Sequence, residues 1–539
     1  MYKTVVFLVT IIKVVSSVED PIVELPKGKI LGRQATTFAN TPFYVFQKIP
    51  YATPPVGALR FKAPQPAEPW EGVLNTTYLD VSCYQQIGDF ESDSEDCLFV
   101  NVYTPTLPVD NENVSLPVMF FVHGGAFVSG WSMYYPPDLF IDNEVILVTI
   151  NYRLGVFGFL STGDEVIPGN NGFKDQRLAI QWTHDNIHLF GGDPEKITIF
   201  GESAGSISIS YQLLNLDSDG LFRAAILQSG SFLCPWSYQR NPRRIAFETA
   251  AVLNSTFSSS DDSNALLEFL QSVSAHDLDA AAEHNPWDDN SPKGISYGAV
   301  TEVKNPDAFI TKKMYGLLQA GTILRVPVVM GLNSEENLLY NQDPVALQAI
   351  LEAWDDNLGL LVPEDMQITD SDELTEMGKS IRDIYTDGEP FGTRLGDGVR
   401  SSSDTCFSRP VTKHAELASA FSQIYFYEFS YNGAPGNISV HYDAVLLGCS
   451  FTEFTESDTL TSQRLITLWT NFAKYQNPTP ELSELFQNIT WSKLVVENGD
   501  FLYLDINEEL EIKNHPKSEI ISRWKNLYDS LNFTDFDTY

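Results

Sequence analysis

Residues 197–205 read ITIFGESAG, and the run that follows carries Ile207, Ile209, Leu213 and Leu214. The β-branched and aromatic residues from Ile197 to Phe200 predict a strand, and the apolar spacing after Ala204 predicts a helix. Between them, Gly201-Glu202-Ser203-Ala204-Gly205 leaves a serine on a sharp strand-to-helix turn. Its flanking glycines leave room where side chains would collide and tolerate strained dihedrals. A serine hydroxyl is a weak nucleophile at neutral pH and needs a base within hydrogen-bond reach. Ser203 is the candidate nucleophile, and its partners must come from elsewhere in the chain.

Upstream, a strand over Val118 to Val122 runs into His123-Gly124-Gly125-Ala126-Phe127. Backbone N–H groups of Gly124 and Gly125, together with that of Ala204, can aim at one developing oxyanion. Glycine suits this because the donor amide must approach without a side chain in the way. His123 reads as a structural residue of the turn rather than as the base. Further strands are predicted over Val145 to Ile150, Ala224 to Leu227, Val326 to Met330 and Ile424 to Phe429. Lys174 to Asn186 has helical spacing. Strands alternating with helices predict an α/β chain with a large, mostly parallel central sheet flanked by helices. No repeat or low-complexity linker divides it, so residues 18–539 read as a single domain. The acidic, Ser-rich region from Ser258 to Asn290 reads as a surface insertion.

Acidic residues number 71 against 34 basic ones, giving a formal charge of −37. Such a surface repels phosphate backbones, which argues against a nucleic-acid partner. Lys3 precedes a short apolar run from Val5 to Ile12, followed by Ser16 and Ser17. Residues 1–17 thus read as a secretory signal peptide, too short in apolar length to span a bilayer. No later transmembrane run or lipid-anchor tail is read, so a secreted, extracellular protein without a membrane anchor is expected. On that route the sequons at Asn75, Asn113, Asn254, Asn437, Asn488 and Asn532 are glycosylation candidates. Of the five cysteines, Cys83 and Cys97 are close in sequence and flank a polar loop, and they are the expected disulfide. The odd count leaves at least one thiol unpaired or intermolecular among Cys234, Cys406 and Cys449. Apart from His184 and His188, the eight scattered histidines show no H-x-x-x-H spacing, and the cysteines show no paired spacing, so no metal is expected. No nucleotide-binding glycine loop is found either, and no cofactor is expected. Nothing in the sequence addresses oligomeric state.

Longer blocks carry a resemblance. Gly169 to Gly205, Tyr51 to Pro66, Ser94 to Tyr103 and Leu468 to Pro480 resemble the type-B carboxylesterase/cholinesterase family of α/β hydrolases. The likeness covers nearly the whole chain after residue 17, and STGDEVIPGN looks closest to secreted insect esterases. It implies the α/β-hydrolase fold, one catalytic domain, a small-molecule ester as substrate, and a Ser, acid, His order of catalytic residues. In that register Glu336 is the acid, with neighbouring Glu335 as fallback. The family usually has glycine next, where this chain has Asn337, a residue able to adopt a left-handed backbone. His441, in Val440-His441-Tyr442-Asp443, matches the family's histidine loop; His414, also after the acid block, lies on a helical stretch. Ser229 resembles an extra serine near the triad, expected to bond Glu336 or His441. Glu202 is read either as helping to organise water or the histidine, or as a buried hydrogen-bonded carboxylate.

The implied activity is a secreted serine carboxylesterase acting on uncharged esters (odorant, pheromone, dietary or xenobiotic) through an acyl-enzyme. A juvenile-hormone-type esterase is the alternative, though such enzymes typically show Gln where this chain has Glu202. A non-catalytic, esterase-like binding or adhesion protein is a further alternative, disfavoured by the presence of all three triad members. A choline substrate is disfavoured because the loop between Cys83 and Cys97 holds no tryptophan for cation–π binding. Trp131, Tyr297, Phe309 and Tyr340 are candidates to line the ester pocket, each with core packing as the plainer role.

Overall fold

The computed structural model describes residues 20–85, 91–109, 113–282, 295–337, 343–433, 455–496 and 500–539. The leader 1–17, His441, Asn437, Cys449, Tyr340 and residues 283–290 of the acidic region lie outside the described residues.

Among the described residues, eleven strands form one sheet. In chain order these are β1 (Arg33–Thr36), β2 (Pro42–Pro50), β3 (Phe99–Thr104), β4 (Leu116–Val122), β5 (Ile146–Ile150) and β6 (Gly192–Glu202). They are followed by β7 (Ala224–Gln228), β8 (Val328–Asn333), β9 (Ile424–Phe429), β10 (Leu502–Ile506) and β11 (Leu510–Asn514). Across the sheet the order is β11-β10-β9-β8-β7-β6-β4-β5-β3-β2-β1. Every pairing from β5 through β10 is parallel, and the pairings outside that run are antiparallel. Each strand predicted from the sequence is present, with ends shifted by a few residues, and the predicted helix spans Asn171–Asn186.

The central strands are apolar on both faces because both faces are covered. Along β4, Val118, Phe120 and Val122 point into one core and Met119 and Phe121 into another. Helix Ala204–Leu214 supplies Ile207, Tyr211 and Leu213 to the first. Helix Glu456–Tyr475 supplies Leu465, Leu468, Trp469 and Phe472 to the second. A Thr455 capping box, with reciprocal bonds between Thr455 and Asp458, starts that helix.

The Ser258–Asn290 region differs from its reading as a surface insertion. Its described part forms helices Ser263–Ser272 and Ala275–Ala281, and Leu266, Leu270 and Leu278 are fully buried in the main core. Their apolar spacing anchors the region; of its described serines Ser263 is buried, while Asp261, Asp262, Glu268 and Asp277 are exposed. Cys83 and Cys97 are bonded, whereas Cys234 and Cys406 are buried free thiols.

Strand order decides where chemistry can occur. From β4 the chain crosses to β5 on one side and then to β6 on the other, so β4 and β6 end side by side at a topological switch point, where open α/β sheets place ligands. Trp469 is fully buried against this sheet, edge-on to Tyr427 with ring centroids 5.1 Å apart. Replacing Trp469 with Ala is expected to cost about 3–5 kcal/mol, read as a lower urea midpoint with unchanged slope; an unchanged midpoint would show that this face does not hold the sheet.

Candidate active site

Parallel register brings the carboxyl ends of four strands together. Gly201 pairs with Val122, Glu202 with Gln228, and Gln228 with Gly331. The glycine turn after β4, the serine after β6, Ser229 after β7 and the acid block after β8 therefore emerge at one edge.

Ser203 sits at φ 57° and ψ −124°, between strand and helix. This is a costly conformation for a residue with a side chain, and it persists only where its surroundings over-determine it. Here the Ser203 N–H donates to the Gln228 carbonyl at 2.8 Å, and its own carbonyl accepts from Ile207 N–H at 2.9 Å. Gly205 makes the turn possible: a Cβ there would lie 2.0 Å from the Val122 carbonyl oxygen. Ala204 is the first helical residue, so its N–H has no partner within the helix.

The glycine turn lies against this elbow. A Cβ on residue 124 would stand 2.7 Å from the Glu202 carbonyl oxygen and 3.1 Å from Ser203 Cβ. Beyond it, Gly125, Ala126 and Phe127 all take positive φ (105°, 52° and 62°). Val128 and Ser129 N–H close the turn onto the Gly125 carbonyl, and Gly155 N–H caps the Phe127 carbonyl at 2.7 Å. His123 is buried beneath the turn, with Nδ1 2.9 Å from the Gly124 carbonyl and its ring stacked on Tyr152 at 4.5 Å. Tyr152 in turn donates its hydroxyl to the His123 carbonyl at 2.9 Å. Burial pushes the His123 imidazole down to about 4, which suits a neutral scaffold group. The Glu202 carboxylate is close enough that the same Cβ on residue 124 would meet Oε2 at 2.7 Å.

The acid block separates its two glutamates. Glu336 is fully buried, accepting the Asn333 N–H on Oε1 at 2.7 Å and the Asn333 side-chain amide on Oε2 at 3.3 Å. Glu335 points outward, with its side chain 33% exposed and Arg400 at 3.8 Å. Asn333, which the sequence reading did not single out, also donates to Ser229 Oγ at 3.4 Å. It thus links Ser229 to Glu336 through an amide; the other partner expected for Ser229, His441, lies outside the described residues. Its signal was a lone amide closing the apolar run Val328 to Leu332. Asn337 departs from the reason given for tolerating it, because it is absent from the residues with positive φ. It is held instead by Ser403, whose Oγ accepts the Asn337 N–H at 3.0 Å, and by Ser402 on its side-chain amide.

His414 is fully engaged elsewhere. Its Nδ1 lies 2.8 Å from Ser231 Oγ, and burial drives its imidazole down to about 3. His441 lies outside the described residues. Among the proposed lining aromatics, Tyr297 bonds Thr249 at 2.7 Å and Phe309 packs on Phe173, both within the core. Trp131 is partly exposed, just after the glycine turn.

A strained serine elbow packed against a glycine turn, at the switch point of a mostly parallel sheet, defines an α/β hydrolase. The chain belongs to the carboxylesterase family, whose model matches residues 19–524. It is 32% identical to a juvenile hormone esterase of Tribolium castaneum, over 96% of this chain and 95% of that one. It is 33% identical to a carboxylic ester hydrolase of Bombus ignitus with the same coverage, and 33% identical to esterase FE4 of Myzus persicae over 87% of each chain. It is a serine ester hydrolase.

The two neutral histidines set an acid limit on stability. Their folded pKa values lie below the ordinary 6.5, so the unfolded chain binds more protons and stability falls as pH drops from 6.5 toward 4 for His123 and 3 for His414. Melting temperature is expected to fall across that window, and less steeply in His414→Gln. An identical slope in both proteins would show that His414 is not buried in its neutral form.

Proposed function

We propose that this chain is a secreted carboxylesterase that cleaves uncharged carboxylic esters in two steps. The carrying observation is Ser203 in its strained elbow, with Gly124 packed so close that a Cβ on residue 124 would stand 3.1 Å from Ser203 Cβ. In the first step His441 takes the Ser203 proton as Oγ attacks the ester carbonyl. The Gly124, Gly125 and Ala204 amides receive the developing oxyanion, and Glu336 stabilises the imidazolium. The alcohol leaves with the proton from His441, and water then cleaves the acyl-enzyme by the same route. Burial and two Asn333 donors favour Glu336 over Glu335 as the acid: a fixed, desolvated carboxylate acts more strongly on a neighbouring imidazolium than one facing solvent.

Uncharged esters fit best, since the loop between Cys83 and Cys97 offers no tryptophan to a cation. A juvenile-hormone-type esterase is the second reading, favoured by the 32% identity to the Tribolium castaneum enzyme so named; Glu202 speaks against it. Secretion rests on the leader 1–17, on the disulfide, and on the sequons. Among the described residues no helix is long and apolar enough to cross a membrane. Asn75, Asn113, Asn488 and Asn532 are exposed and Asn254 partly so, as glycan acceptors must be.

The mature chain is expected to hydrolyse short p-nitrophenyl esters and to be labelled stoichiometrically by an organophosphate at Ser203. Folded protein that is neither active nor labelled would instead support the binding or adhesion reading, and activity retained in Ser203→Ala would move the nucleophile. Glu336→Gln should cost at least about 100-fold in kcat, while Glu335→Gln should cost little; the reverse ranking would move the acid by one residue. A chain-length series of acetates and longer esters, with juvenile hormone as one arm, separates the two substrate readings.

A further inference from the structure

The Glu336 loop leaves the sheet at Asn333, after one last strand-type bond from the Ser334 N–H to the Phe429 carbonyl at 3.0 Å. Beyond it, Lys517 and residues 402–408 grip the loop from two sides. Residues Asp404–Ser408 form a π-helical turn inserted between helices Leu395–Ser403 and Arg409–Ala418, an irregularity that recurs at functional sites. On one side of Glu336, Lys517 Nζ donates to the Ser334 carbonyl at 2.9 Å, to Asp404 Oδ1 at 2.7 Å and to Ser408 Oγ at 3.3 Å. Those three acceptors use all three ammonium donors. On the other side, Ser403 and Ser402 hold the backbone and side chain of Asn337. Asp404 has no exposed surface, and its second oxygen accepts from Tyr385 Oη at 3.2 Å, itself bonded by Trp524 Nε1 at 2.7 Å. Lys517 stands at φ 50°, immediately before helix Ser518–Asp529.

We propose that Lys517 and Asp404, with Ser402 and Ser403, are positioning residues that fix the Glu336 loop and so set the strength of the catalytic acid. The proposal rests on the reading of Glu336 as that acid. A buried ion pair is a poor source of net stability because desolvation offsets its attraction. It is a good source of geometry, because each partner is left unsatisfied in any other arrangement. A carboxylate that drifts from its imidazole stabilises the imidazolium less, so turnover falls and the base titrates at lower pH. Asn337 fits the same scheme: where the family usually has glycine, this chain adds a side-chain amide to the grip.

The test compares full-length variants with active sites counted by organophosphate titration. Lys517→Met is expected to lower kcat per titrated site about 10- to 100-fold with KM changed less than about twofold. The acid limb of its kcat/KM profile should move to lower pH. Lys517→Arg should restore kcat to within about threefold, since a cation again bridges Asp404 and Ser334. A lower melting temperature with unchanged kcat and unchanged acid limb would overturn the proposal, leaving Lys517 as a structural fastener. Should Lys517→Met fail to fold, Ser403→Ala combined with Asn337→Gly serves instead: a kcat loss of about 3- to 10-fold is expected, and full kcat overturns the proposal. Glu336→Gln separates the two failures. If it is fully active, the acid assignment falls and the clamp with it; if it is inactive beside a fully active Lys517→Met, the clamp alone falls.

Discussion

The structure depends on a close approach between two parallel strands that are not neighbours in the chain. β4 ends in a carbonyl at Val122, and Gly205 passes so near that a Cβ would lie 2.0 Å away. This proximity lets Ser203 leave β6 at positive φ and return at once into a helix. It also brings the glycine turn after β4 against the serine. On the proposed mechanism neither motif is sufficient alone, because a nucleophile without donors has nowhere to place the oxyanion charge. The switch in strand order makes them neighbours, and the parallel register carries the acid block to the same edge.

Much of this was legible in the residues. A β-branched run into glycines marks a strand that must stop sharply, and apolar spacing after Ala204 marks the helix that follows. The central strands were readable because strands buried on both faces are almost wholly apolar. What escaped were polar groups whose meaning is set by distant partners. Asn333 is one amide at a strand end until Ser229 and Glu336 are folded around it. Lys517 and Asp404 look like ordinary surface charges, and their burial together follows from tertiary packing that no local pattern encodes. The acidic region after Ser258 misled for a related reason: its composition is that of a solvated loop, while three leucines at helical spacing anchor it.

The site divides its electrostatic tasks by burial. His123 and His414 are kept neutral by desolvation, and they hold backbone and serine geometry rather than protons in transit. The two adjacent glutamates are likewise sorted, one inward among amide donors and one outward toward Arg400. The same chemistry meets different surroundings: Glu336 is fully buried, while Glu335 is a third exposed.

The Lys517 contact also orders events in time. A ribosome adds roughly 5–20 residues per second, and Lys517 follows Ser203 by about 300 residues. The elbow strands emerge early, but the acid loop lacks its full grip until nearly all of the chain has been made. A chain still being translated therefore carries the Ser203 elbow without the proposed grip on the Glu336 loop. On the proposed reading, the site is thus completed last, by the part of the chain most distant from Ser203 in sequence.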